Sequence, residues 1–473
     1  MMGLRLIVTH GKGCEAERKY IYRLLLEEYL GCTVEYKTVQ AEDATVVISD
    51  GNKVLRVDDS FFLLASKYWL KPESMPRSPT VFWDLPQSLR GKLQESQIPV
   101  LYGNVIHKTK FLVKDYCAEN KLKGISLGLD VFGSAFFMLS RYEEIVNQNR
   151  DCHSRFPAKE SIAFKEGFIL RPIINEYIEI ISYCLQCLFP QFSAKKPPFE
   201  TQLSCDVDVP YSQSRRNFYY FVRQLASDVI IQKSLVSLLN SVRLYGQFRR
   251  QDFSNDPLDT FDTIMDECEN RSISCTFNFI CDRPAGAVDG LYSLDEEYIQ
   301  GLLKKVHQRG HKIGLHVSYG AFRDQQQMQS ELDILKQSCR RLGIRQDCWS
   351  NRQHYLRWHT PDTARQLESI GMAEDTTLGY ADHVGFRTGI CYSFNLYDLH
   401  ERRELSLKET PLIAMEGSML SKAYMNLDHC AALEIVNDLK GKCQRFGGKF
   451  TILWHNHMLA VPKNKKLFLQ SLG

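Results

Sequence analysis

The chain has no stretch approaching the roughly 18 uninterrupted apolar residues of a membrane-spanning helix, so no membrane span is expected. It has no excess of charge of either sign. Across 473 residues, 59 Lys and Arg stand against 56 Asp and Glu. The overall balance therefore points to neither nucleic acid nor an anionic membrane, and small or neutral partners are expected. The start, MMGLRLIVTHGKG, lacks the apolar run and small-residue cleavage site of a secretory signal, which makes a cytoplasmic location the expectation. A dinucleotide fingerprint is missing too. His10, Gly11 and Gly13 in THGKGC loosely suggest a phosphate loop, but they lack the G-x-G-x-x-G spacing and its acidic partner. Internal repeats and low-complexity segments are absent. So is an even set of cysteines: the fifteen run from Cys14 to Cys443, several inside apolar helical patterns, which fits reduced thiols better than a disulfide framework. Cys184 and Cys187 have C-x-x-C spacing but no second pair beside them, and they read as structural thiols in a helix.

What the chain does have is a globular composition, 44% hydrophobic and 24% charged, and enough length for two ordinary domains. The first part reads as α/β. A strand spans Leu4 to Thr9, and a helix follows with Tyr20, Ile21, Leu24 and Leu25 on one face and Gly31 as its stop. Strands come next around Val34 and at Thr45 to Ile48. Asp130 to Ile145 predicts one buried helix, and Pro172 to Cys187 another with Pro at its first position. The polar, proline-containing SAKKPPFE, Ser193 to Glu200, marks the expected boundary between residues 1–195 and 196–473.

Beyond it, short apolar strands alternate with amphipathic helices. Strands are expected at Gln202 to Cys205, Cys275 to Ile280, Lys312 to Leu315 and Phe450 to Trp454. Helices are expected at Leu294 to Gln308, Gln325 to Leu342, Pro361 to Ile370 and Asp428 to Phe446. This alternation predicts a parallel sheet or β/α barrel whose chemistry gathers at the carboxyl ends of its strands.

Four strand-end segments carry candidate chemistry. In LSCDVDVP, alternation puts Asp206 and Asp208 on one face, where two carboxylates repel unless a cation or arginine intervenes. An Asx turn capping the next element is the plainer account. GHKIGLHVSYG leaves its strand at His316; Asp with His is a common metal set, whereas a single histidine is often structural. SNRQHYLRWHTPDT puts Arg352 and His354 on one face, with Arg357 and His359 as possible surface residues. FTILWHNHML delivers Trp454, His455 and His457, and a tryptophan beside a histidine suits a sugar or acyl pocket.

Taken in order, SCDVDVP, GHKIGLHVSYG, RQHYL, EDTTLGYADHVGFRTG and LWHNH resemble the motif series of the polysaccharide deacetylases, over about Gln202 to Gly473. The first half, with FGSAFFMLSRYEE and RFPAKES, resembles an uncharacterised domain that precedes such deacetylase domains in bacterial proteins associated with surface-polysaccharide loci. The resemblance implies a distorted β/α barrel after a smaller α/β domain. It also implies a divalent metal, commonly zinc, held by an aspartate and two histidines. Carried across, it makes Asp206 the base and Asp208 the metal-binding carboxylate. Val207 separates two aspartates that are adjacent in the family, so these roles can be exchanged. His316 matches the first histidine of an H-x-x-x-H pair whose second position is Gly320 here. Either His354 completes the metal set, or a water or substrate atom does, or the site has lost its metal.

Arg352 matches the arginine that orients the base, Asp375 the aspartate that supports the acid histidine, and His455 that acid. Tyr355, Arg387 and Trp454 are expected on the substrate, Arg387 against a carboxylate or phosphate. The implied function is metal-dependent removal of an acyl group, N-acetyl first of all, from a carbohydrate or polysaccharide precursor. This is hydrolysis of a carbon–nitrogen bond other than a peptide bond. A non-catalytic carbohydrate-binding or scaffolding protein and a hydrolase of a non-sugar amide are the alternatives.

Overall fold

The protein is seen here in a computed structural model that describes residues 4–40, 45–103, 112–116, 121–194, 196–212, 218–231, 233–249, 253 and 256–473. Among the described residues, eight strands precede residue 130: β1 (Arg5–Gly11), β2 (Thr33–Val39), β3 (Thr45–Ser49), β4 (Val54–Asp58), β5 (Val81–Asp84), β6 (Gln97–Val100), β7 (Leu112–Tyr116) and β8 (Leu122–Leu127). Six of them form a mixed sheet in the order β2-β1-β3-β4-β8-β7, and β5 and β6 pair as a separate ribbon. The period of two is plain in β1, where Leu6, Val8 and His10 point inward.

The first helix, Glu15–Tyr22, runs on into a π-helical stretch, Arg23–Tyr29, and ends at Gly31 with φ +70°. One helix was expected over Asp130 to Ile145. Two are found, Val131–Leu139 and Tyr142–Val146. The break is at Arg141, held at φ 55°. Its guanidinium ion-pairs with Glu143 and Glu144 at 2.8 and 2.9 Å in full burial, and residues two apart, such as Arg141 and Glu143, do not face each other on an uninterrupted helix.

Nine more strands make the second sheet: β9 (Glu200–Val207), β10 (Cys275–Phe279), β11 (Lys312–Val317), β12 (Ser350–Gln353), β13 (Glu374–Asp375), β14 (Phe394–Asp398), β15 (Arg403–Glu409), β16 (Ala414–Met415) and β17 (Lys449–His455). Their order is β14-β15-β13-β12-β11-β10-β9-β17-β16, and every pair is parallel except β14 with β15. β10 is buried throughout, as a parallel strand covered on both faces should be. The four expected helices are present as Glu297–Gln308, Gln325–Arg341, Asp362–Ser369 and His429–Phe446. Among the described residues no helix is long and apolar enough to cross a membrane.

The expected boundary at 195/196 falls in the connection between the helix Ile173–Leu188 and β9; position 195 lies outside the described residues. Packing runs across this connection. The Phe136 and Tyr397 rings meet edge to face at 5.1 Å, the Tyr20 hydroxyl donates to the Asn395 carbonyl at 2.7 Å, and Arg402 grips Glu17 at 2.8 and 2.9 Å. Arg387, expected to bind substrate, belongs to this contact instead. It is buried, forks onto Glu144 at 2.9 Å and donates to the Gly379 carbonyl. Its charge is spent inside the protein.

Candidate metal centre

Five adjacent parallel strands set the floor of the site. Register places His455 of β17, Asp206 of β9 and Asn278 of β10 in one row, and His316 of β11 beside Arg352 of β12. The Asn278 amide donates to Asp206 Oδ1 at 2.7 Å, while Arg352 Nε stands 3.9 Å from the same oxygen and its Nη2 donates to Ser204. Gly314 makes this possible: a Cβ there would lie 2.1 Å from Asn278 Oδ1.

One residue past β9, Asp208 faces two imidazoles. His316 Nε2 is 3.3 Å from Asp208 Oδ1, and His354 Nε2 is 3.7 Å from Oδ2. Ligand atoms from Asp208, His316 and His354 all lie within 4.8 Å of one another. Around a zinc–ligand bond of about 2.0–2.1 Å, two tetrahedral ligands stand roughly 3.3 Å apart. The donor set fits a divalent cation on two further observations. Asp208 Oδ1 is buried without a hydrogen-bond partner. Both imidazoles are held by the other nitrogen: His316 Nδ1 meets the Arg352 carbonyl at 2.8 Å and His354 Nδ1 meets Asp289 at 3.0 Å, which aims each Nε2 at the centre. Burial would raise the Asp208 carboxyl, but the His354, His316 and His455 imidazoles outweigh it and hold the acid well below the usual carboxylate range. Position 320 is exposed, with nothing within 4 Å of a Cβ placed there.

Above these residues lies a cavity of about 420 Å³, which Asp206, Asp208, His316, His354, Tyr355 and His455 line. Leu356, Ala381, Leu453 and Met415 form an apolar wall on it. His455 Nε2 stands 3.4 Å from Asp208 Oδ2. Its Nδ1 is bonded to Glu416, not to Asp375, and burial, which would lower its pKa, is overcome by the Glu416 carboxylate, which takes it up to about 10. Asp375, expected to support His455, is tied instead to Asn351 at 2.6 Å and Thr377 at 2.8 Å. Trp454 is likewise not on the pocket. It is fully buried against Phe468 at 5.5 Å, because alternation along β17 turns Leu453 and His455 to the cavity and Trp454 away from it.

Four residues that the sequence reading left out belong to this site. Glu416 begins a short helix, Glu416–Leu420, after β16. Asp289 sits in a single turn, Gly286–Asp289, and also accepts the Tyr319 amide at 2.6 Å. From the first half of the chain comes Arg155, which donates to the Tyr355 carbonyl at 3.1 Å and to the Tyr424 hydroxyl at 3.0 Å, held by Asp151 at 2.7 Å. Arg155 and Tyr424 both line the cavity. The RFPAKES run did contain this arginine, but nothing local ties it to a strand end more than 150 positions away.

Residues 6–190 match the model of a family of unknown function, DUF7033. No curated protein matches the chain. Among solved structures, the chain is similar to a protein assigned as a polysaccharide deacetylase from Mycobacterium smegmatis. That protein is 13% identical with a TM-score of 0.36, over 59% of this chain and 83% of that one. The chain is also similar to the Puue allantoinase, 11% identical with a TM-score of 0.34, over 57% of this chain and 82% of the other.

Proposed function

We propose that this protein is a metal-dependent hydrolase that removes an acyl group, N-acetyl first of all, from a carbohydrate or polysaccharide precursor, on a β/α barrel frame. The observation that carries the reading is the convergence of Asp208, His316 and His354 within 4.8 Å, with each imidazole fixed from behind. These three residues would hold a divalent ion such as Zn²⁺. The ion, when bound, supplies a Lewis acid that polarises the amide carbonyl and acidifies water.

The rest of the chemistry belongs to side chains. Asp206, held by Asn278 and flanked by Arg352, takes the proton of the attacking water at a carboxylate oxygen. His455, kept protonated by Glu416, gives its Nε2 proton to the departing amine. A backbone N–H near Tyr355, which lines the cavity, would stabilise the oxyanion. The apolar wall of Leu356, Ala381, Leu453 and Met415 suits a small acyl group, and the part-exposed ring of Tyr355 suits a sugar face.

The test is elemental analysis of the purified protein, joined to turnover of N-acetylated sugars, nucleotide sugars and ureides. One divalent ion per chain is expected, lost in His316→Ala and His354→Ala, with acetate released from an N-acetyl sugar and activity abolished by chelator. Stoichiometric metal with turnover only of a ureide would move the substrate to the non-sugar class. A wild-type protein without metal and indifferent to chelator would end the hydrolase reading.

A further inference from the structure

Between β9 and the helix Phe261–Asn270 the chain forms an antiparallel pair of helices, Phe218–Ile230 and Leu235–Arg249. One face of each is used to hold the other. The Phe221 ring stacks on Tyr245 at 4.0 Å, and buried Asp228 accepts hydrogen bonds from Gln224 at 2.9 Å and Ser241 at 2.5 Å.

The other face is apolar and open. Tyr219, Val222, Val229 and Ile230 recur at helical spacing on the first helix, Leu235, Val236, Leu239 and Val242 on the second, with Ile231 at the turn between them. Their exposures run from 46% to 77%, where side chains of this kind would ordinarily be core. Exposed among them are Arg223, Lys233 and Arg243, and the only acid from Phe218 to Arg249 is the buried Asp228.

We propose that this hairpin docks the protein on an anionic lipid bilayer, with Ile230, Ile231, Leu235 and Val236 entering the acyl boundary and the basic side chains against the headgroups. Apolar tip residues with a purely cationic surround are the chemistry of an interfacial helix. At about 1.5 Å per residue the two helices are about 20 and 22 Å long, short of the roughly 30 Å hydrocarbon core, so the hairpin lies in the interface and does not span. A second copy is a poorer occupant: a two-fold contact sets the same patch against itself and brings arginine to arginine. In sequence the hairpin follows β9, the strand that carries Asp206, and Val209 lines both the central cavity and the groove at the hairpin's base. The inference stands on this surface alone and does not depend on the hydrolase reading.

The experiment is co-sedimentation of the full chain with vesicles of phosphatidylcholine, alone or mixed with an equal part of phosphatidylglycerol. Sedimentation is expected with the mixed vesicles, weakened by salt, and little with phosphatidylcholine alone. Ile230→Glu with Leu235→Glu should lose at least about tenfold in vesicle affinity, and Arg223→Gln about fivefold, as for one basic residue near an anionic surface. These positions are exposed, so an unchanged thermal melt checks that the variants are folded. Ile231→Trp should add emission that shifts to the blue when mixed vesicles are added. The proposal is overturned if wild type stays in the supernatant, if the double glutamate variant sediments as wild type does, or if the tryptophan does not shift. It is also overturned if light scattering finds a dimer that the glutamates dissociate without any vesicle binding.

Discussion

At His455, one contact decides what the imidazole can do. Glu416 is 1% exposed, bonds Nδ1 and raises the pKa to about 10, so the ring carries a proton through the neutral range. Glu416→Gln keeps the shape and removes the charge. The His455 pKa should then fall, and the alkaline limb of kcat should move to lower pH. At neutral pH kcat should drop by about 10²-fold while KM stays within a fewfold, as loss of a general acid predicts. Unchanged kcat and an unmoved pH profile would remove Glu416 from the mechanism.

A second carboxyl allows a stability test. Glu331 faces Ser318 and Gln327, and burial lifts its pKa to about 7. An acid raised above its unfolded value binds more protons in the folded state, so its cost to stability is absent below about 4.5 and grows as pH rises toward 7. Glu331→Gln should leave stability alone at pH 4.5 and raise it by on the order of 2–3 kcal/mol above pH 7, read from urea melts at the two pH values. A variant less stable than wild type at pH 8 would contradict this. Strand alternation made Asp206, Asp208, His316 and His455 legible in the sequence, since each sits at or just past the end of an apolar run. The same rule applied one position earlier excludes Trp454 from the pocket. Asp289 and Glu416 could not be found that way, because each is brought in by a turn or short helix whose place depends on the assembled sheet.

At the scale of elements, the turn His354–Leu356 is the part under strain. Tyr355 and Leu356 stand in succession at φ 61° and 54°, left-handed values that non-glycine residues rarely adopt. The turn is held from outside: Arg155 grips the Tyr355 carbonyl, and Arg357 donates to the carbonyl of His153 at 2.8 Å. Arg155→Ala should let the turn relax and move the backbone N–H near Tyr355 off its target. On the proposed function this lowers kcat by about 10²-fold, since misplacement of about 1 Å has that cost. Metal content should stay at wild-type level, because no ligand is touched. Arg155→Lys should not restore the rate, since one ammonium cannot reproduce the fork onto Asp151, Tyr355 and Tyr424. Loss of metal in Arg155→Ala would instead make the arginine a support of the ligand set. Periodicity revealed most of the elements around this turn. It did not reveal the break at Arg141, which only the partners Glu143 and Glu144 explain, nor the helical hairpin, whose basic residues vanish in a net charge of +3 over the whole chain.

For the molecule as a whole, the question is whether the halves on either side of residue 195 are energetically separate. The sequence divides them cleanly, with a polar, proline-containing connection and a change in the pattern of strands and helices. The packing does not. Buried side chains from both halves form one continuous core, and at its centre Glu144 receives Arg141 from its own half and Arg387 from the other. Burial would raise the Glu144 carboxyl, but Arg387 and Arg141 bring it down to about 2. A depressed acid stabilises above its unfolded value, so this contribution is present above about pH 4.5 and is lost as pH falls toward 2. Arg387→Met removes one partner and leaves Glu144 under-compensated in the interior, which should cost about 3–5 kcal/mol near neutral pH. Replacing Glu144 by Gln in the same chain should recover part of that loss, since the remaining pair, Arg141 with Glu143, is intact. Because the clamp joins the halves, both should unfold in a single calorimetric transition that Arg387→Met shifts down as a unit. Two transitions, with only one displaced by Arg387→Met, would mean that the halves fold independently and that Arg155 reaches the pocket from a separately stable body.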